Sequence, residues 1–140
     1  MKHFLGIEDE EFIRGKVPMT KKEIRILTLA GAKIGKNDIV CDIGAGTGSL
    51  SIEAALLAKA GHVYAVERKK EAVELIRQNA AKFGIENITI IESEAPAGLE
   101  QLPERLDAAI IGGTGSHLEE ILEFLDKRLK PGGFIVINCI

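Results

Sequence analysis

Asp42-Ile43-Gly44-Ala45-Gly46-Thr47-Gly48, following the apolar run Ile39-Val40-Cys41, decides the fold. It reads as a buried strand that stops at a glycine turn and opens directly into a helix beginning near Ser49. Glycines at every second position bring the backbone close to a ligand with no Cβ in the way. The helix start would aim its free N–H groups at the same place. The spacing discriminates between ligand classes. A dinucleotide site needs G-x-G-x-x-G, and its third glycine position holds Ser49, whereas the third glycine here falls one residue earlier and an acid precedes the first. A Walker phosphate loop is excluded because no Gly-Lys-Ser/Thr follows.

The surrounding sequence alternates strand and helix signals. Pro18-Met19-Thr20 leads into a helix, where Thr20-Lys21-Lys22-Glu23 fits a capping box and Ile24, Leu27, Gly31 and Ile34 share one face. Strand Ile39–Asp42 is followed by helix Ser49–Ala60, strand His62–Glu67, a helix with Ala72, Leu75, Ile76 and Phe83 that stops at Gly84, and strand Ile88–Ile91. A helical turn at Ala97–Leu102, strand Leu106–Ile111 and helix Leu118–Leu129 come next. That last helix has its stripe at Leu118, Ile121, Leu122, Leu125 and Leu129, and Pro131-Gly132-Gly133 breaks it before strand Phe134–Ile140. Such alternation predicts an α/β fold, a mostly parallel sheet with helices on both faces. Ligands in such sheets bind beyond the carboxyl ends of the strands, beside the first one.

Composition bounds the function. The 140 residues make one domain, 1–140, in which residues 1–17 have no clear period and read as an N-terminal arm with Phe4, Leu5, Phe12 and Ile13 as anchors. Net charge is −3 with no dense run of Lys or Arg, which argues against nucleic acid as main partner. Cys41 and Cys139 lie in apolar runs and read as core residues of a reducing compartment. His3, His62 and His117 lack metal-ligand spacing, so no metal site is expected. The N-terminus is too polar for a signal peptide and no apolar run is long enough to span a membrane, so a cytoplasmic protein is expected.

The pattern D-x-G-x-G-x-G resembles class I S-adenosylmethionine-dependent methyltransferases, whose Rossmann-like sheet the resemblance implies in the order 3-2-1-4-5. In such enzymes the nucleoside needs a close-approach loop, a ribose clamp and an adenine slot. Gly44, Ala45, Gly46, Thr47 and Gly48 would form the loop, with Asp42 ordering it or reaching the cofactor amine through water. Glu67, at the end of the second strand and twenty-one residues after Gly46, would accept hydrogen bonds from both ribose hydroxyls. Alone it reads equally as a solvated strand-end charge. Glu94 and Ala95, after the third strand, would face the adenine. Strands six and seven of that fold have no counterpart, and the apolar end Ile135-Val136-Ile137-Asn138-Cys139-Ile140 would leave a bare edge. Either the chain is cut from a longer protein or another subunit covers the edge; truncation is the preferred reading.

A narrower resemblance rests on Val17-Pro18-Met19-Thr20-Lys21-x-Glu23-Ile24-Arg25, on Asp42–Gly48, on Glu94-Ala95-Pro96 and on Ile111-Gly112-Gly113-Thr114-Gly115. Together these look like the cobalamin-biosynthesis methyltransferases that act on precorrin-6B or cobalt-precorrin-6B, methylating C15 and removing carbon dioxide from the C12 acetate. The resemblance implies S-adenosylmethionine as methyl donor, S-adenosylhomocysteine as product, a tetrapyrrole substrate and a homotetramer. It also places Thr20 on the cofactor, where a helix cap is the competing role. Arg14, Lys16, Lys21 and Arg25 are candidate partners for ring carboxylates, or else a solvated basic face. Gly112 and Gly113 stand where amino-group methyltransferases carry D/N-P-P-Y/F, so no side chain is supplied to hold an amine. No catalytic acid or base stands out. The alternatives are a class I methyltransferase on RNA or protein and a cofactor-binding module without turnover.

Overall fold

The computed structural model describes residues 5–112 and 117–138. Strands β1 (Ile39–Ile43), β2 (His62–Glu67), β3 (Ile88–Glu92), β4 (Leu106–Ile111) and β5 (Leu129–Ile137) form one sheet in the order β3-β2-β1-β4-β5. Every neighbouring pair is parallel, as the alternation of elements predicts. Helices α1 (Lys22–Ala32), α2 (Ser49–Leu57) and α3 (Lys70–Lys82) cover one face and α4 (Leu118–Arg128) the other. Alternation along β1 feeds both layers: Val40 joins the α1–α2 core, while Cys41 and Ile43 join the core under α4. No helix among the described residues is long and apolar enough to cross a membrane.

α4 forms as its stripe dictates. Ile121 and Leu125 are buried, with Leu118, Leu122 and Leu129 packed around them. α1 departs from expectation. Its proposed core face lies largely outward, with Leu27 70% and Ile24 39% exposed, and the buried residues are Arg25, Thr28, Leu29 and Ala32. The reason is Arg25, whose guanidinium is held by Glu53 of α2 at 2.7 Å and Asp9 at 2.8 Å and so carries its side of the helix inward. Nor does Thr20 cap α1. The cap position is Lys21, without a side-chain bond, and Asp9 Oδ1 accepts the Lys22 N–H at 3.0 Å.

Residues 5–20 are a packed strap rather than a loose arm. Ile7, Phe12 and Val17 are buried, a single 3-10 turn spans Asp9–Glu11, and Leu5 and Ile13 stay largely exposed. β5 also starts earlier than the Pro131-Gly132-Gly133 breaker implies. Its pairing with β4 jumps from Leu106↔Leu129 to Ala108↔Phe134, and the extra residues bulge out where a proline costs no ladder bond. Phe4, His3, Gly113, Thr114, Gly115, Cys139 and Ile140 lie outside the described residues.

Candidate cofactor site

β1, β2 and β3 end together, and a cavity of about 360 Å³ opens beyond their carboxyl ends. Its floor is Ile43 and Val66 from the strand ends; Gly44 and Gly46 form one wall, and Ser93, Glu94 and Ala95 another. Hydrogen bonds fix the glycine loop to the neighbouring strand. Gly44 and Ala45 donate their N–H groups to Val66 O at 2.9 and 3.2 Å. Glu67, 7% exposed, accepts from Gly46 N at 2.9 Å through Oε1 and from Lys69 N at 2.8 Å through Oε2. The loop closes onto α3 at Gly48, where φ is +86° and a Cβ would come within 3.0 Å of Ile76. A side chain there would meet both the backbone conformation and the helix.

The opposite wall tightens in a similar way. Gly98, at φ +87°, leaves no room for a Cβ beside Ser93, and Ser93 Oγ donates to Ala97 O at 2.8 Å. The turn from Ser93 to Gly98 is thereby pinned against the end of β3. The strap supplies the rim: Val17 and Pro18 line the cavity, and Pro18 O lies 3.4 Å from where a Cβ on Gly46 would sit.

Of the residues the sequence singles out, Gly44, Gly46, Glu67, Glu94 and Ala95 meet around this cavity. Asp42 does not face it. It is buried behind the loop on the α2 side, where its Oδ2 accepts from Ser51 Oγ at 2.6 Å. Burial pushes its carboxyl up to about 6; the Ser51 hydrogen bond opposes the rise and the charge of Glu67 adds to it. Ordering the start of α2 is the role its position serves. Thr47 is buried, and its Oγ1 has no hydrogen-bond partner within the described residues. Ala45, Gly48, Thr20 and Gly112 do not line the cavity.

Arg25 is a correction. Expected among the cations for substrate carboxylates, it is fully buried, does not line the cavity, and donates to Glu53, Asp9, Thr20 O and Ile7 O. Arg14, Lys16 and Lys21 are exposed. Arg68, Lys69 and Ala72 line the cavity and were missed. The available signal was their place directly after the Glu67 strand end, but a run of basic residues opening a helix reads as a solvated face.

The cavity fits the nucleoside end of S-adenosylmethionine on its own chemistry. Its size is within the range of small-ligand sites, its floor is apolar, and its carboxylate has spent two of about four acceptor positions. Cavity and sheet order define the chain as a methyltransferase of the Rossmann-like class I fold. The precorrin methyltransferase domain matches residues 11–140, and the chain belongs to that family. A curated relative from Sulfurisphaera tokodaii, named "Probable cobalt-precorrin-6B C(15)-methyltransferase (decarboxylating)", is 51% identical over 137 residues, covering 96% of this chain and 71% of the relative. The crystal structure of precorrin-6y C5,15-methyltransferase from Geobacter metallireducens superposes with a TM-score of 0.92 at 43% identity, over 97% of this chain and 71% of that one. The structure of a precorrin 8W decarboxylase from Methanobacterium thermoautotrophicum gives 0.90 at 39% identity, over 96% and 72%. A protein-L-isoaspartate O-methyltransferase, at 24% identity and a TM-score of 0.72, shares the fold alone.

Proposed function

We propose that the chain is an S-adenosylmethionine-dependent C-methyltransferase of corrinoid synthesis that methylates C15 of precorrin-6B or cobalt-precorrin-6B and releases the C12 acetate carboxyl as carbon dioxide. The observation that carries this is the Glu67 carboxylate on the cavity wall, tied to the Gly46 N–H at 2.9 Å, in a chain of the precorrin methyltransferase family. Glu67 would hold the ribose hydroxyls and repel a phosphorylated ribose by charge. Glu94 and Ala95 would border the adenine, and the backbone from Gly44 to Gly48 would take the close approach. When bound, the cofactor supplies a methyl group made electrophilic by a sulfonium. The chain's own part is to align the ring carbon with that methyl and to keep water out.

Arg14, Lys16 and Lys21, exposed on and just after the strap, are the cations for ring carboxylates in this reading. Gly112 would border the ring in the same reading. Assembly as a homotetramer and residence in the cytoplasm belong to the same reading.

Mass spectrometry of cobalt-precorrin-6B incubated with protein and cofactor tests it; gain of a methyl together with loss of carbon dioxide is expected. An unchanged mass overturns it. Glu67→Ala is expected to weaken S-adenosylhomocysteine binding by about tenfold or more in calorimetry, as befits lost hydrogen bonds to a charged group.

A further inference from the structure

The strap that forms the cavity rim is held down by a side chain that does not line the cavity. Asn79, on α3, is fully buried. Its Oδ1 accepts from Ile13 N at 2.7 Å, and its Nδ2 donates to Ile13 O and to Thr47 O, each at 3.0 Å. The partners fix the amide's orientation: turned over, its NH2 would face an N–H and its oxygen two carbonyls. One amide thus grips both adjustable walls of the cavity, the strap four residues before Val17 and the glycine loop at its Thr47 end.

Packing alone does not call for an asparagine here. The neighbouring buried positions of α3 are Ala72, Val73, Leu75, Ile76 and Ala80, and a buried amide is tolerated only where its hydrogen bonds are made. Two of the three bonds of Asn79 exist only while the strap is docked. Lifting the strap leaves that amide unsatisfied beside the loop.

We propose that Asn79 is a positioning residue coupling the strap to the glycine loop, so that a latched strap tightens the cavity and an occupied cavity holds the strap down. The proposal rests on the reading of this cavity as the S-adenosylmethionine site. Coupling of this kind is reciprocal, so it is readable from either side.

The test uses the full chain with S-adenosylhomocysteine as probe. Asn79→Leu keeps the side chain's shape and removes its polar atoms. It is expected to keep the circular dichroism of the fold and to weaken S-adenosylhomocysteine by about tenfold. It should raise the KM for S-adenosylmethionine while kcat stays within about twofold, and abolish ligand-induced protection of residues 10–18 in hydrogen exchange. Ile13→Pro attacks the same link from the strap, removing the donor at an exposed side chain that follows Phe12, whose φ of −89° and ψ of 144° suit a residue before proline. It should weaken the ligand in the same direction and add nothing in the Asn79→Leu background. If Asn79→Leu does not fold, Ile13→Pro carries the measurement.

A folded variant that binds as tightly as the wild type, or losses that simply add, overturns the coupling. A wild type that does not bind S-adenosylhomocysteine overturns the functional reading instead. The link is then decided by exchange without ligand, where Asn79→Leu must speed exchange of both residues 10–18 and 44–48, and an unchanged glycine loop overturns it.

Discussion

The two faces of the sheet are built on different principles, and α1 and α4 display the contrast at equal length, eleven residues each. Beneath α4 the core is apolar throughout: Cys41, Ile43, Leu106, Ala109, Ile111, Ile121 and Leu125, with Leu99 and Leu102 closing one end. On the other face, Arg25, Glu53, Asp42, Ser51 and Asn79 are buried among the apolar residues. Burying charges and amides without partners is costly, and here each has them. Several of those partners come from the strap: Asp9 and the Ile7 carbonyl for Arg25, the Gly6 and Ile7 N–H groups for Glu53, and Ile13 for Asn79. The α4 face is closed by contact area, which is indifferent to direction. The α1–α3 face is closed by directed bonds to a segment with a single 3-10 turn and no longer helix or strand, and that segment reaches the cavity.

The contrast can be broken most forcefully at Arg25. Arg25→Met leaves Glu53 as an unpaired buried charge and is expected to lose about 3–5 kcal/mol in urea denaturation. Adding Glu53→Leu should recover part of that loss, which a simple packing defect would not do. On the opposite face Leu125→Ala is expected to lose about 2–5 kcal/mol through the cavity it creates, with S-adenosylhomocysteine affinity of the folded protein unchanged.

A smaller effect is expected at Asp42. Its folded-state pKa, raised from 3.8 to about 6 chiefly by burial, exceeds its unfolded value. The folded chain therefore binds more protons between those two values, and stability falls as pH rises through that window and stays lower above it. Asp42→Asn should remove this component and raise the melting temperature by a few degrees at neutral pH, an advantage that disappears below about pH 4. A variant no more stable than wild type at neutral pH would show that the buried carboxylate is better compensated than its surroundings imply. The smallest effect is at Leu27→Gln: this side chain is 70% exposed, and its replacement should change stability by no more than about 0.5 kcal/mol.

Legibility in the sequence follows the same division. The period of α4, the five strands and the glycine loop could be read directly, because hydrophobic spacing and glycine spacing are one-dimensional signals, whereas the strand order and the places of Glu94 and Ala95 came only with the family resemblance. α1 was misread because Ile24, Leu27 and Gly31 imitate a core face while the residue that turns inward is an arginine. Only Glu53, twenty-eight positions away, explains that. The strap reads as an arm in the sequence because its hold depends on single side chains of α1, α2 and α3, and directed bonds leave no period. Arg68 and Lys69 stayed hidden because a wall position after a strand end depends on how the next turn is pinned, here by Glu67 Oε2 accepting the Lys69 N–H at 2.8 Å.

The span of the strap's bonds bears on how the chain comes to be folded. Gly6 meets Glu53 across forty-seven residues and Ile13 meets Asn79 across sixty-six. Loops of that length make such pairings entropically late, and on a ribosome the first cannot form until residue 53, nor the second until residue 79, has left the exit tunnel. The strap, translated before its partners, must wait with Phe12 and Val17 uncovered for β1, α2, β2 and α3 to be made and assembled. The strap thus precedes these elements in synthesis and follows them into place.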